Sequence, residues 1–225
     1  MIVKNLSLLV ADWVYGSRKF AYGRFARVEK YPNGDKAPVV LLPGVYETWQ
    51  FLKPLAARLY AAGHPVHVLA DLKRNVMPIP DAAALAARYI ADHDLTGVVL
   101  VAHSKGGLIG KHLMLVNDPD GRVDRLIAIA TPFSGSSRAR YFLNRELRDF
   151  IPTGKVLAML SASADVNSRI TSIYGTLDAH IPEGSELPGA TNVQFPVVGH
   201  FRILADERVI STVVEAAGDA AAGVD

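Results

Sequence analysis

Val98-Val-Leu-Val-Ala-His-Ser104-Lys-Gly-Gly-Leu-Ile-Gly110 joins an unbroken apolar run to a helix start through a turn rich in glycine. The first four residues lack the polar alternation of a half-exposed strand, as expected of a parallel strand covered on both faces. Beyond the turn, Leu108, Ile109, Leu113 and Val116 recur at helical spacing. A sharp strand-to-helix turn lifts a serine side chain clear of the backbone only where the residues two before and two after it are small, here Ala102 and Gly106. The helix that follows points its first N–H groups and positive dipole end at the same place, where an oxyanion would form. Small-x-Ser-x-Gly also arises by chance in glycine-containing loops, so the role of Ser104 depends on the rest of the chain.

The 225 residues suffice for one α/β domain with a sizeable core, and no Pro/Gly/Ser-rich linker divides them. Half are hydrophobic, a fifth are charged and the net charge is +2, a balance that argues against a disordered chain and against a nucleic-acid-binding surface. The absence of cysteine removes disulfides, thiolate catalysis and cysteine-based zinc sites. Ile2 to Val14 is apolar but broken by Lys4, Asn5 and Asp12. It is too short to span a bilayer and lacks a small-x-small cleavage pattern, so the cytoplasm is the expected compartment.

Within residues 1–30, Val3, Leu6, Val10 and Trp13 fall near one face of an amphipathic helix from Ile2 to about Tyr15. That face either docks on the protein body or contacts a membrane surface, and Arg18, Lys19, Arg24 and Arg27 suit the second reading. Apolar runs at Val39 to Leu42, Pro65 to Ala70, Val98 to Val101, Arg125 to Ala130, Ile170 to Tyr174 and Asn192 to Val198 predict strands separated by helical segments. Residues 137–163 read as short helices that form either a small cap or an ordinary crossover, and 216–225 as a loose tail. The repeated βα units predict a mostly parallel, doubly wound sheet with helices on both faces and sites at the carboxyl ends of its strands.

A serine nucleophile needs a base for its proton, and the base needs an acceptor that fixes its tautomer. Tyr174-Gly-Thr-Leu-Asp178 puts a carboxylate after one predicted strand, and Val197-Val-Gly-His200 puts an imidazole after the last. Among the histidines, His180 lies before the last strand, and the side chain of His103 is expected to leave the turn on the far side from the serine. Asp165 and Glu183 compete with Asp178, since loop carboxylates also serve as turn formers.

Leu42-Pro-Gly-Val-Tyr46, Ala102-His-Ser-Lys-Gly-Gly107, Ile129-Ala-Thr-Pro-Phe-Ser-Gly-Ser136, Tyr174-Gly-Thr-Leu-Asp178 and Gly199-His200 together resemble the lipase/esterase group of the α/β-hydrolase fold. The resemblance covers Val39 to Val214 in order. It implies Ser104 as nucleophile, His200 as base, Asp178 as its partner, the backbone N–H groups of Val45 and Lys105 as oxyanion donors, and no metal or organic cofactor. The chain has Pro43-Gly44 where lipases commonly have His-Gly, and Lys105 where Met or Gln is common. The Lys105 side chain reads either as a solvated lysine on the first helical turn or as a positive charge near an ester carbonyl or an acidic head group. Tyr46 and Phe133, beside strand ends, suggest an apolar pocket for a small-molecule or lipid ester. Thioester cleavage or acyl transfer by the same groups, and a catalytically silent lipid- or partner-binding protein, are the alternatives.

Overall fold

In the computed structural model, which describes residues 2–22, 31–141, 150–151 and 154–218, six strands form one sheet. They are β1 (Val39–Leu42), β2 (Val66–Val68), β3 (Val98–His103), β4 (Val123–Ile129), β5 (Ile170–Leu177) and β6 (Thr191–Val198). Their spatial order is β2-β1-β3-β4-β5-β6, with every pairing parallel. Every residue of β1 and β3 is buried, which is why these two strands read as continuous apolar runs.

Helices α2 (Lys53–Ala61), α3 (Ile79–Asp92), α4 (Lys105–His112), α5 (Lys155–Ala162) and α6 (Glu207–Gly218) cover the two faces. On one face Leu55 and Leu59 of α2 and Val209 and Val213 of α6 pack with Leu41, Val99 and Val101. On the other, Ile79 and Ile90 of α3, Leu108 of α4 and Leu157 and Leu160 of α5 pack with Val40, Leu42 and Leu100. Successive residues of β1 and β3 therefore feed opposite cores, and each fully buried aliphatic side chain contributes roughly 1.5–3 kcal/mol relative to exposure. From β1 the chain moves outward to β2 and then returns to β3 on the other side of β1. The loops leaving β1 and β3 thus diverge and open a crevice at the carboxyl ends of these strands.

The expected alternation of strand and helix fails between β5 and β6, where an irregular loop makes the parallel connection. Side chains replace the helix as its support: Ser172 Oγ donates to Ser185 O at 2.6 Å and Asn192 Nδ2 to Leu187 O at 2.8 Å. In residues 137–163, a short 3-10 helix over Ser137–Tyr141 precedes α5, which buries Leu157 and Leu160 as a crossover helix does. Residues 142–149, inside the segment read as a cap or crossover, lie outside the described residues. Residues 216–218 are not the loose tail expected of them, because α6 continues to Gly218 and buries Ala217; residues 219–225 are not described.

The N-terminal helix α1 (Ile2–Tyr22) is longer than its periodicity suggested and docks by a different face. Leu6, Val10 and Trp13 are 61, 56 and 67% exposed, whereas Asp12 and Gly16 are buried. Phe20 packs on Phe51 and Phe201, at ring-centroid distances of 4.8 and 5.7 Å. Hydrophobic periodicity missed this face because its central contact is a carboxylate whose partners are backbone N–H groups. Arg24 and Arg27 lie outside the described residues.

Candidate active site

Ser104 connects β3 to α4 with φ 52° and ψ −118°, a conformation that costs a non-glycine residue about 1–3 kcal/mol and persists only where the surroundings impose it. They do so closely. The Ser104 N–H donates to Ile129 O at 2.9 Å. A Cβ at Gly106 would stand 1.9 Å from Leu42 O, and one at Gly107 would stand 2.0 Å from Thr131 Oγ1. Glycine at these two places lets α4 begin against the ends of β1 and β4, so the elbow is a consequence of the Gly106-Gly107 pair.

Asp178 follows β5 directly. Its Oδ2 accepts from His200 Nδ1 at 2.6 Å and its Oδ1 from the His180 N–H at 2.7 Å. Because the carboxylate only accepts, the hydrogen-bond network assigns the proton to Nδ1 and leaves the Nε2 lone pair for another partner. Burial pushes the Asp178 carboxyl up, but the charge and hydrogen bond of His200, with the His180 N–H, outweigh it and hold the pKa at about 2. Burial pushes His200 down, and the Asp178 charge and hydrogen bond overcome it, so its pKa is raised. His180 is lowered to about 4 by burial and by the neighbouring His200, against the pull of Asp178. The environment thus separates two adjacent histidines, one disposed to take a proton and one held neutral near pH 7.

Asp178, His180 and His200 also bring their ligand atoms within 4.8 Å of one another, a metal-like donor set. Two donors on a tetrahedral ion lie roughly 3.3 Å apart given metal–ligand bonds of about 2 Å. The 2.6 Å between Asp178 and His200 is instead the length of a short hydrogen bond to a carboxylate.

Ser104 and His200 open into one cavity of about 540 Å³, with Val45, Tyr46 and His180 also in its wall. Its apolar walls include Trp13, Phe20, Phe150, Ile181 and Phe201. Asp178 lies behind His200, and Lys105 opens α4. Two expectations are corrected. Phe133 is not in this wall; it is buried in the core beneath α3, α4 and α5. The Lys105 side chain is neither solvated nor directed at a substrate: it is 0% exposed, and Nζ donates to Asn75 O at 3.2 Å and Met77 O at 2.6 Å.

No protein-family model and no curated protein matches the sequence. The chain is structurally similar to the mature lipase BlEst2 of Bacillus licheniformis, with TM-score 0.64 and 17% identity over 84% of this chain and 96% of that one. It is similar also to Aspergillus fumigatus lipase B, with TM-score 0.67 and 18% identity over 82% of this chain and 54% of that one. The chain has the α/β-hydrolase fold. A putative non-heme bromoperoxidase of Mycobacterium tuberculosis, BpoC, shares it at TM-score 0.61 and 16% identity over 82% of this chain and 92% of that one. One α/β-hydrolase scaffold therefore carries more than one named activity, and the chemistry must be argued from side chains.

Three further polar residues, none of them a site candidate from sequence, border the candidate site. Glu47 Oε2 accepts the Gly44 N–H at 2.7 Å, which fixes the loop carrying Val45 and Tyr46. His103, contrary to expectation, turns towards the site: Nδ1 meets Glu47 Oε1 at 2.8 Å, and Nε2 donates to His200 O at 3.0 Å. Both residues are fully buried, and the pair is net neutral whichever partner holds the shared proton. Asp12, from α1, accepts the His200, Phe201 and Arg202 N–H groups. Sequence offers a signal only for His103, which adjoins the serine; Glu47 and Asp12 are ordinary acids on amphipathic or loop segments.

Proposed function

We propose that the protein is a serine hydrolase of carboxylic esters. The observation that carries this reading is the 2.6 Å hydrogen bond from His200 Nδ1 to Asp178, on a ring that opens into the same cavity as Ser104. His200 Nε2 takes the Ser104 proton as Oγ adds to the acyl carbonyl, and the oxyanion is stabilised by the backbone N–H groups of Val45 and Lys105. The imidazolium returns the proton to the departing alcohol. Water, deprotonated in the same way, then adds to the acyl-enzyme and releases the acid. The aromatic and aliphatic walls favour an apolar acyl group, and thioesters or acyl transfer to an alcohol would use the same groups.

p-Nitrophenyl esters from acetate to palmitate, with a thioester and a phospholipid beside them, test the reading and rank the substrates. Turnover should vanish in Ser104→Ala. Turnover undiminished in that variant would instead favour a lipid- or partner-binding role.

A second contact belongs to the same reading. No helix among the described residues is long and apolar enough to cross a membrane. The exposed Leu6, Val10 and Trp13 form one stripe on α1, and Trp13 also belongs to the cavity wall. This supports α1 as a peripheral contact with a lipid surface at the entrance to the site.

A further inference from the structure

We propose that Asp12 is a positioning residue for His200, which makes α1 a part of the reaction apparatus as well as a wall of the cavity. The functional half of this inference rests on the serine-hydrolase reading. Asp12 stands 188 residues before His200, and its Oδ2 accepts the His200 N–H at 2.9 Å. Its Oδ1 accepts the N–H groups of Phe201 and Arg202, each at 2.8 Å. The Gly199 N–H donates to Leu177 O at 2.8 Å. Four successive N–H groups after β6 are therefore held, three of them by one distant carboxylate. Asp12 is itself buried, and a buried carboxylate is stable where several N–H groups converge on it.

Two glycines match α1 to this loop independently of the hydrogen bonds. A Cβ at Gly199, where φ is +118°, would stand 2.4 Å from Asp12 Cγ. A Cβ at Gly16, one helical turn beyond Asp12, would stand 2.7 Å from the Phe201 ring. Backbone and helix meet as closely as these positions allow, so the carboxylate leaves the His200 peptide little freedom. From the other side, His103 Nε2 donates to His200 O. The His200 ring is thus aimed by Asp12 at its amide N–H, His103 at its carbonyl and Asp178 at Nδ1.

Charge adds to geometry. The groups that face His200 are Asp178 and His180 from the loop after β5, Glu47 from the loop after β1, His103 at the end of β3 and Asp12 on α1. The Asp12 carboxylate, with Asp178, favours the imidazolium formed when His200 takes the serine proton.

Asp12→Asn keeps the shape of the side chain, removes its charge and sets an amide N–H against a backbone N–H. For hydrolysis of p-nitrophenyl butyrate, kcat should fall by about tenfold to a hundredfold, the scale of a small misplacement of a reacting group, with KM within about twofold. The acid limb of the kcat/KM profile should also move to lower pH, a shift that a merely structural role does not produce. Unchanged kcat and an unchanged acid limb would overturn the proposal. Amide hydrogen exchange supplies a readout free of catalysis. The 200–202 amides should be protected in the wild type and faster in Asp12→Asn; rapid exchange in the wild type overturns the anchor even where the variant does not fold. Should Ser104→Ala leave ester turnover intact, the hydrolase reading fails separately, and exchange alone then judges the Asp12 anchor.

Discussion

Glu47 and His103, joined by a 2.8 Å contact inside the protein, each hold one half of the site. Glu47 fixes the Gly44 N–H in the loop after β1, and His103 fixes the His200 carbonyl after β6. Glu47→Ala removes the partner of two buried polar groups, the Gly44 N–H and His103 Nδ1. A buried polar group left unsatisfied costs about 1–3 kcal/mol, so urea unfolding should show a loss of several kcal/mol, accompanied by a lower kcat. Stability within about 0.5 kcal/mol of the wild type, the range of an ordinary surface substitution, would show that the pair does not join the two loops.

On the proposed mechanism, Asp178 sets both the rate and its pH dependence. Asp178→Asn disturbs the His200 tautomer and should lower kcat by about 10⁴-fold, as loss of the triad acid does elsewhere, whereas the exposed Asp165→Asn should leave it near wild type. His200 acts as a base only when neutral, and its pKa is raised above the ordinary 6.5. The wild-type kcat/KM should therefore fall as pH drops through a value above 6.5, and in Asp178→Asn that limb should move down. His180, held at about 4, should contribute nothing near neutrality. A wild-type limb below pH 6 would contradict the assignment.

Lys105 is a tie between loops. Its Nζ reaches Asn75 O and Met77 O, while Asn75 Nδ2 donates to Pro43 O at 2.6 Å, so α4 is linked through the loop after β2 to the loop after β1. Lys105→Met keeps much of the side-chain volume but leaves two carbonyls without this donor. The melting temperature should drop by several degrees in calorimetry, with ester selectivity retained. A change in selectivity for anionic esters without a loss of stability would restore the substrate-facing role.

These residues mark where the sequence could be read and where it could not. β1 and β3 were legible because strands buried on both faces are apolar throughout, and the gathering of Ser104, Asp178 and His200 at one end of the sheet was legible because each follows a separate parallel strand. Lys105 was misread because solvation is the usual fate of lysine in a first helical turn, and nothing local reveals two carbonyls from a loop thirty residues earlier. Phe133 was misplaced because proximity to a strand end does not tell which way a ring turns; it turns into the core. On α1, periodicity located the helix but not the face that docks on the protein body. Its anchor is polar, and the donors that satisfy Asp12 belong to the other end of the chain.

The exposed stripe of α1 gives a test of lipid contact. Wild-type protein should co-sediment with anionic liposomes, and the combined Leu6→Ser and Val10→Ser variant should bind markedly less while keeping its turnover of a short, water-soluble ester. Equal sedimentation of the two proteins would remove α1 from the contact.

Labelling by a fluorophosphonate probe tests the central claim most directly, since it depends on an activated serine and on no choice of substrate. Mass spectrometry of the labelled, folded protein should place one adduct on Ser104, with labelling lost in Ser104→Ala and strongly slowed in His200→Ala. Folded wild-type protein that stays unlabelled, or carries its adduct on another serine, would contradict the account.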